Sequence, residues 1–306
     1  MQVAMSAPSR PADRRLLGMG LRIVAIALLS VMMALIKLAG QRGVSLPEIM
    51  FWRQAFAIPV ILAWVAMGAG IGTLRSQRLG THARRSALGL TGMVFNFGAV
   101  LLLPLAEAVT ISFTMPLFAT MLAALVLKER VGPHRWSAVA LGFVGVLIVV
   151  RPGDSPIPAF GAGVGLTAAI MVAIISIQVR DLARTEAPAT MTFWFAAFSL
   201  PVLGLALPFF AGPHDWQSWV LLAAIGGVGA LGQICLSGSL VHAPVSAVIG
   251  MDYSGLIWAT LFGWLIWEQL PTASTWLGAP VIVASGLFIA WREHRLSIAR
   301  IPETPA

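Results

Sequence analysis

The sequence predicts an all-α integral membrane protein: ten transmembrane helices in two five-helix repeats of opposite orientation, with both termini cytoplasmic. Three observations predict it. The chain is 58% hydrophobic and only 10% charged over 306 residues, against about 25% charged in a soluble domain, so lipid must cover much of it. Ten apolar runs follow one another between short polar segments. A set of residues also recurs at a spacing near 140.

The elements follow in order. Residues 1–15 are polar and Pro-containing, and are expected to be a disordered cytoplasmic segment. The apolar run from Leu16 to Gly40 exceeds the 7–15 residues of a signal-peptide core, and no A-x-A-like site follows it, so it reads as the first transmembrane helix. Hydropathy and turn signals place the spans at 16–39, 47–68, 86–103, 105–127, 135–151, 159–179, 189–211, 217–237, 243–267 and 275–291. Pro104 and Glu107 separate the third from the fourth. Ser237-Gly238-Ser239 through Pro244 separates the eighth from the ninth. The two repeats are then residues 16–151 and 159–291, with 292–306 a cytoplasmic tail.

Lys and Arg set the orientation. With the N-terminus cytoplasmic, three basic residues lie inside before span one and four between spans two and three. Three more lie between four and five, two between six and seven, and three after ten. Only Arg42 and Arg151 fall on the other side, while Arg22, Lys37 and Arg53 lie within spans. The same dispersal argues against a nucleic-acid partner.

The repeat is direct to read. Phe51-Trp52-x-x-Ala55-Phe56-x-x-Pro59-Val60 returns as Phe193-Trp194-x-x-Ala197-Phe198-x-x-Pro201-Val202, an offset of 142. Glu129 and Glu268 close spans four and nine at an offset of 139, and Trp136 and Trp276 open spans five and ten at an offset of 140. Five spans per repeat is an odd number, so the second repeat enters the membrane from the opposite side. That plan is common in secondary transporters, with the solute site near mid-bilayer where the halves meet.

The pattern resembles the drug/metabolite transporter superfamily, in particular its ten-span EamA-type transporters. The resemblance rests on Lys37 near the end of span one, on Pro47 and Arg53 at span two, on the run from Ala106 to Gly153, and on Met251 to Glu268. The first run carries the spacing from Pro116 to Glu129 and then Gly142 and Gly145. The resemblance covers nearly the whole chain. The second half departs from it, with Gly255 where Pro116 stands and Phe195 where Arg53 stands, so equal roles for the halves do not follow. The resemblance implies a transporter of small organic metabolites in an inner membrane, often an exporter.

The chemistry-bearing residues inside the spans are few. Asp252 and Tyr253, the only tyrosine, sit midway along the run from Ala243 to Glu268. A carboxylate at that depth costs a few kcal/mol or more, so the pair reads as a polar hold on the solute or a proton-coupling group. The competing reading is a structural hydrogen bond between helices. Asn96 on span three and Trp258 on span nine complete the expected solute-binding set, Trp258 with core packing as its rival reading. Lys37, Arg53 and Glu107 fall at similar depth on spans one, two and four, and read as an outer gate or a fixed ion-pair network. Pro116 and Gly255 are the candidate hinges. Gln178, Gln233, His242 and Ser246 read as helix–helix contacts. Gly227 to Gly232 matches G-x-G-x-x-G but lacks the strand and βαβ setting of a dinucleotide site, and reads as a small-residue packing face.

These residues favour a secondary carrier over the other classes. No Walker loop, H-E-x-x-H or G-x-S-x-G motif is present, so neither ATP use nor an enzyme activity is expected. The single cysteine, Cys235, excludes an intramolecular disulfide and a multi-cysteine metal site; no cofactor or metal is expected. The partners expected are a small-molecule solute, the lipid bilayer and, through Asp252, protons as coupling ion, with a monomer expected and a dimer the alternative. The solute expected is an amino acid, aromatic ones included, or a related amphipathic metabolite moving outward. The alternatives are uptake of a vitamin or nucleoside-like metabolite, of riboflavin or S-adenosylmethionine type, and a non-transporting membrane scaffold.

Overall fold

A computed structural model describes residues 11–68, 70–126, 128–129, 131–151 and 157–298. Among them lie ten helical spans long and apolar enough to cross a membrane, and no strand. The helices are α1 (Pro11–Gln41), α2 (Leu46–Met67), α3 (Leu79–Leu102), α4 (Leu105–Ser112), α5 (Met115–Leu125), α6 (Pro133–Val150), α7 (Ala159–Leu182), α8 (Pro188–Phe210), α9 (Trp216–His242), α10 (Val245–Val248), α11 (Ser254–Trp267) and α12 (Ala273–Ile298). Eight spans are single helices. The other two are interrupted: α4 and α5 make one span, and α10, a 3-10 segment at Ile249–Tyr253 and α11 make another.

Helices suit these sequences because a bilayer offers the backbone no hydrogen-bond partner, so each segment must satisfy its own N–H and C=O groups. Their starts carry the expected chemistry. Ser45 caps α2 by accepting from the Glu48 amide, with Pro47 in the first turn. Asp215 caps α9 by accepting from the Ser218 amide at 3.0 Å. Two span ends are built alike. Lys128 and Glu268 both have φ of 54°, and the amide after each reaches back six residues, Glu129 to the Ala123 carbonyl and Gln269 to the Gly263 carbonyl. This is the reverse turn that usually takes glycine.

Two differences from the sequence expectation bear on the site. Helix α3 begins at Leu79 rather than at 86, so His82, Arg84 and Arg85 are helical instead of lying in a loop. Helix α1 begins at Pro11, inside the segment expected to be disordered, while residues 1–10 lie outside the described residues. Hydropathy marks where side chains turn apolar, whereas a helix continues through a polar turn as long as its hydrogen bonds do.

The helices of one half pack chiefly on those of the other. α1 lies along α9 and α3 along α7, α2 packs on α8 and α9, α3 on α8, α4 on α11 and α6 on α12. Shifting every span by five places turns this set of pairs into itself. Small residues allow a close crossing: a Cβ on Gly278 of α12 would fall 2.6 Å from the Gly145 carbonyl oxygen of α6. The buried core runs through the middle, from Ile36 and Ile49 to Ile111, Ile225 and Ile282. Large apolar side chains cover the outside, as lipid contact requires: Phe209 is 82% and Leu205 77% exposed.

Candidate functional site

The two interrupted spans meet each other. The first breaks at Phe113–Thr114, ahead of Pro116. Pro116 has no N–H to donate, and its ring would collide with the carbonyl four residues back, so the helix restarts at Met115. Thr114 and Ser112 hydroxyls donate to the carbonyls of Ile111 and Val109, each at 2.7 Å, beside the Thr114 and Phe113 amides that the same carbonyls accept. The second break is the 3-10 segment that ends at Tyr253. Phe113 and Tyr253, 140 positions apart in the chain, stack edge to face with ring centroids 4.9 Å apart. Gly255 sits beside this contact; a Cβ there would meet Ile26, Val109 and Phe113 at 3.5 to 3.9 Å.

Asp252 leaves the same 3-10 segment in another direction. Arg22 of α1 donates to it twice, Nε to Oδ1 at 2.5 Å and Nη2 to Oδ2 at 2.6 Å. The paired carboxylate and guanidinium are 32% and 13% exposed. The expected solute-binding carboxylate is therefore held by a cation that sequence reasoning left as an unassigned base within span one. The signal was present: Arg22 is a base within α1, where a carboxylate at similar depth would offset its cost.

Among the described residues, three cavities between the spans bear on the site. A cavity of about 400 Å³ is lined by Met115, Pro116 and Thr120 of the first broken span, Ile249 of the second, Ser176 of α7 and Ile289 of α12. Glu129, Arg180, Arg184 and Glu293, where spans end, surround it with both signs of charge. A smaller one of about 50 Å³ holds Asn96 together with Met33, Val109, Ser112 and Gly165. Asn96 thus shares a cavity with the first broken span and not with Asp252. Trp258 lies one turn into α11, half-buried, stacked on Phe262 at 6.4 Å and with its indole N–H unpartnered. Ser246 has a side chain outside the described residues, and His242 closes locally onto the Gly238 carbonyl.

The end of the bundle formed by the starts of α2, α4, α9 and α12 is tied across the two halves. Lys37 donates to the carbonyls of Val100 and Leu103, at 3.2 and 2.5 Å. Glu107 accepts from the Thr272 amide at 3.1 Å and the Thr275 hydroxyl at 3.3 Å. Trp267 donates to Gln41, Arg42 to Asp215 and Gln217, and His214 is hydrogen-bonded to Glu48. The Ser218 hydroxyl and amide, and the Arg42 cation, hold the Asp215 carboxyl below its ordinary range. Lys37 and Glu107 therefore share this end without bonding each other. Arg53 stands apart from both. Its neighbours are Gln54, whose Oε1 accepts from Nη1 at 2.8 Å, and Phe97, whose ring it overlies at 5.8 Å. It shares a third cavity, of about 90 Å³, with Arg85.

Ten apolar spans, two of them broken where they meet beside a cavity large enough for a small solute, define a multi-pass membrane protein. The chain belongs to the EamA-like transporter family, whose sequence model matches residues 16–151 and 159–291; it is a membrane transporter. It is 33% identical over 259 residues to the riboflavin transporter of Vibrio cholerae, covering 84% of this chain and 87% of that one. It is 31% identical over 271 residues to the pseudopaline exporter CntI of Pseudomonas aeruginosa, covering 88% and 94%. The S-adenosylmethionine uptake transporter of Rickettsia prowazekii is 26% identical over 251 residues, covering 81% and 84%. A crystal structure 18% identical in sequence shares the fold, with a TM-score of 0.59 over 94% of this chain and 99% of that one.

Proposed function

We propose that the chain is a secondary carrier that moves small organic metabolites across the inner membrane by alternating access, the two halves forming an inverted repeat that rocks about Phe113 and Tyr253. One observation carries the reading: the only two interrupted spans among the described residues meet at that contact, and both contribute to the ≈ 400 Å³ cavity. Interrupted helices in corresponding positions of two repeats are the strongest pointer to a carrier site. The bundle is closed at the Lys37 and Glu107 end, and the large cavity opens toward the other. Rocking exchanges these states by breaking the Glu107 and Trp267 ties and closing Pro116 and Ile249 over the solute. Asp252 serves this cycle as half of the Arg22 tie, anchoring the second broken span to α1, while Tyr253, Asn96 and Trp258, none of which lines the ≈ 400 Å³ cavity in this state, meet the solute as the halves rock.

The cavity suits an amphipathic solute. Its walls are mostly apolar, and charges of both signs surround it, which fits an amino acid or a related zwitterionic metabolite. A second reading is uptake of a flavin or adenosyl compound, favoured by the names of two relatives. A metabolite profile of medium and cytoplasm in overexpressing cells tests both. Solutes enriched outside relative to an empty control support export, and solutes depleted from the medium support uptake. A profile identical to the control overturns the carrier reading.

A further inference from the structure

The ≈ 90 Å³ cavity between α2, α3, α8 and α9 is lined by Arg53, Arg85, Gln54, Gln233, Thr192 and Phe195 among others, and no carboxylate lines it. Arg53 Nε, Arg85 Nε and Nη1, and Gln54 Nε2 are buried without a hydrogen-bond partner. Gln54 itself is 2% exposed. Arg85 lies over the Phe195 ring at 4.9 Å, which fixes its plane and leaves its edge N–H groups free. The other arginines with ion-pair geometry, Arg22, Arg42, Arg78 and Arg135, each have a carboxylate within 3.5 Å.

Two like charges facing one buried cavity from α2 and α3, with donors left over and no carboxylate lining it, are costly unless something else neutralises them. The unpaired groups define what that is. They are all N–H donors, so the partner is an acceptor. Arginine forks match planar or tetrahedral oxyanions through paired hydrogen bonds. The volume equals about three waters at roughly 30 Å³ each, room for one acetate-sized group and not for a whole large metabolite.

We infer that Arg53 and Arg85, with the Gln54 amide, form a carboxylate-binding subsite, separate from the ≈ 400 Å³ cavity in this state, that takes the acid end of the transported solute as the halves rock. The inference rests on the carrier reading for its solute, and it narrows that reading to metabolites bearing a free carboxylate. Arg53 belongs to this subsite rather than to the closed end. Phe195, which stands at the repeat position of Arg53, makes the subsite one-sided: one half supplies the charge and the other the ring that orients it.

Purified protein in detergent tests this without any transport measurement. Thermal unfolding is followed against sodium acetate and sodium succinate, with sodium chloride and sodium phosphate at matched ionic strength. The wild type is expected to gain a saturable rise in Tm with the carboxylates alone. In Arg85→Gln the half-saturation is expected to weaken by about tenfold or more, the worth of a charge-assisted hydrogen bond, and Arg85→Lys to lie between. Each variant is checked for a monodisperse peak first, and where Arg85→Gln is not monodisperse, Gln54→Leu replaces it with the same expected loss. Equal shifts in wild type and variant, or shifts with chloride, overturn the subsite. A shift with phosphate but not carboxylate overturns the assignment of the group. Because binding is read directly, failure here leaves the carrier reading standing, and failure of the metabolite profile leaves this result intact.

Discussion

Arg22 grips Asp252 through two hydrogen bonds of 2.5 and 2.6 Å. The pair ties the interrupted ninth span to the first, so each charge depends on the other. Asp252→Ala strands a guanidinium that is 13% exposed, which costs about 3 kcal/mol, the low end for breaking a buried pair because the carboxylate is partly wet. Arg22→Ala is expected to cost a similar amount. The double variant is expected to cost clearly less than the sum, because no charge is then left unpaired. Denaturant unfolding in detergent measures the cycle, and strict additivity would show the pair to be idle.

Tyr253 is also constrained from the side of α12. A Cβ on Gly286 would strike the Tyr253 hydroxyl, with the ring carbon behind it 3.5 Å away and Pro116 Cγ at 3.6 Å. Gly286→Ala is therefore expected to cost about 1–3 kcal/mol by overpacking and to slow transport. Tyr253→Phe in the same chain removes the colliding atom and is expected to restore most of the loss. If the second change restores nothing, the hydroxyl is not what the new methyl meets.

Gly278 tests the close crossing of α12 on α6. Its added Cβ would fall against backbone, the Gly145 carbonyl of α6, which cannot rotate away as a side chain can. Gly278→Ala is expected to lower stability by about 1–3 kcal/mol, whereas Gly163→Ala, which faces open space, is expected to stay near the wild type. Thermal unfolding of the two side by side separates these outcomes.

The spans were legible in the sequence because lipid imposes length and apolarity on every one of them. The meeting of the two broken spans was half legible. Pro116 marked one break, but the run from Ala243 to Glu268 has no proline beyond Pro244 to announce that Ile249 to Tyr253 would leave the α-helix. That break follows from tertiary contact with Phe113 and Arg22. Arg85 was read as a loop residue because span three was begun where hydropathy rises; the helix runs through the polar turn before it. Depth groups Lys37, Arg53 and Glu107; in the structure Lys37 and Glu107 share one end of the bundle and Arg53 stands apart. Depth does not show direction, and the partners of Lys37 and Glu107 are backbone carbonyls, an amide and a hydroxyl.

Glu107 is buried: one carboxylate oxygen accepts from the Thr272 amide just before α12 and from the Thr275 hydroxyl in its first turn, while the other is unpartnered. Glu107→Ala is expected to loosen the closed end, and Glu107→Lys to abolish transport. Unchanged transport by the charge-reversed protein would remove Glu107 from the gate.

The direct test of alternating access needs no knowledge of the solute. Cys235, the single cysteine, is replaced by serine, and Ser112, which lines the cavity beside the first break, by cysteine. A membrane-impermeant maleimide is then applied to right-side-out and to inverted vesicles, with and without Glu107→Ala. Two exchanging states predict labelling from both faces, and a reciprocal change in the Glu107→Ala protein: faster from the Lys37 side, slower from the other. Labelling from one face only, or rates that rise together from both, would contradict the account.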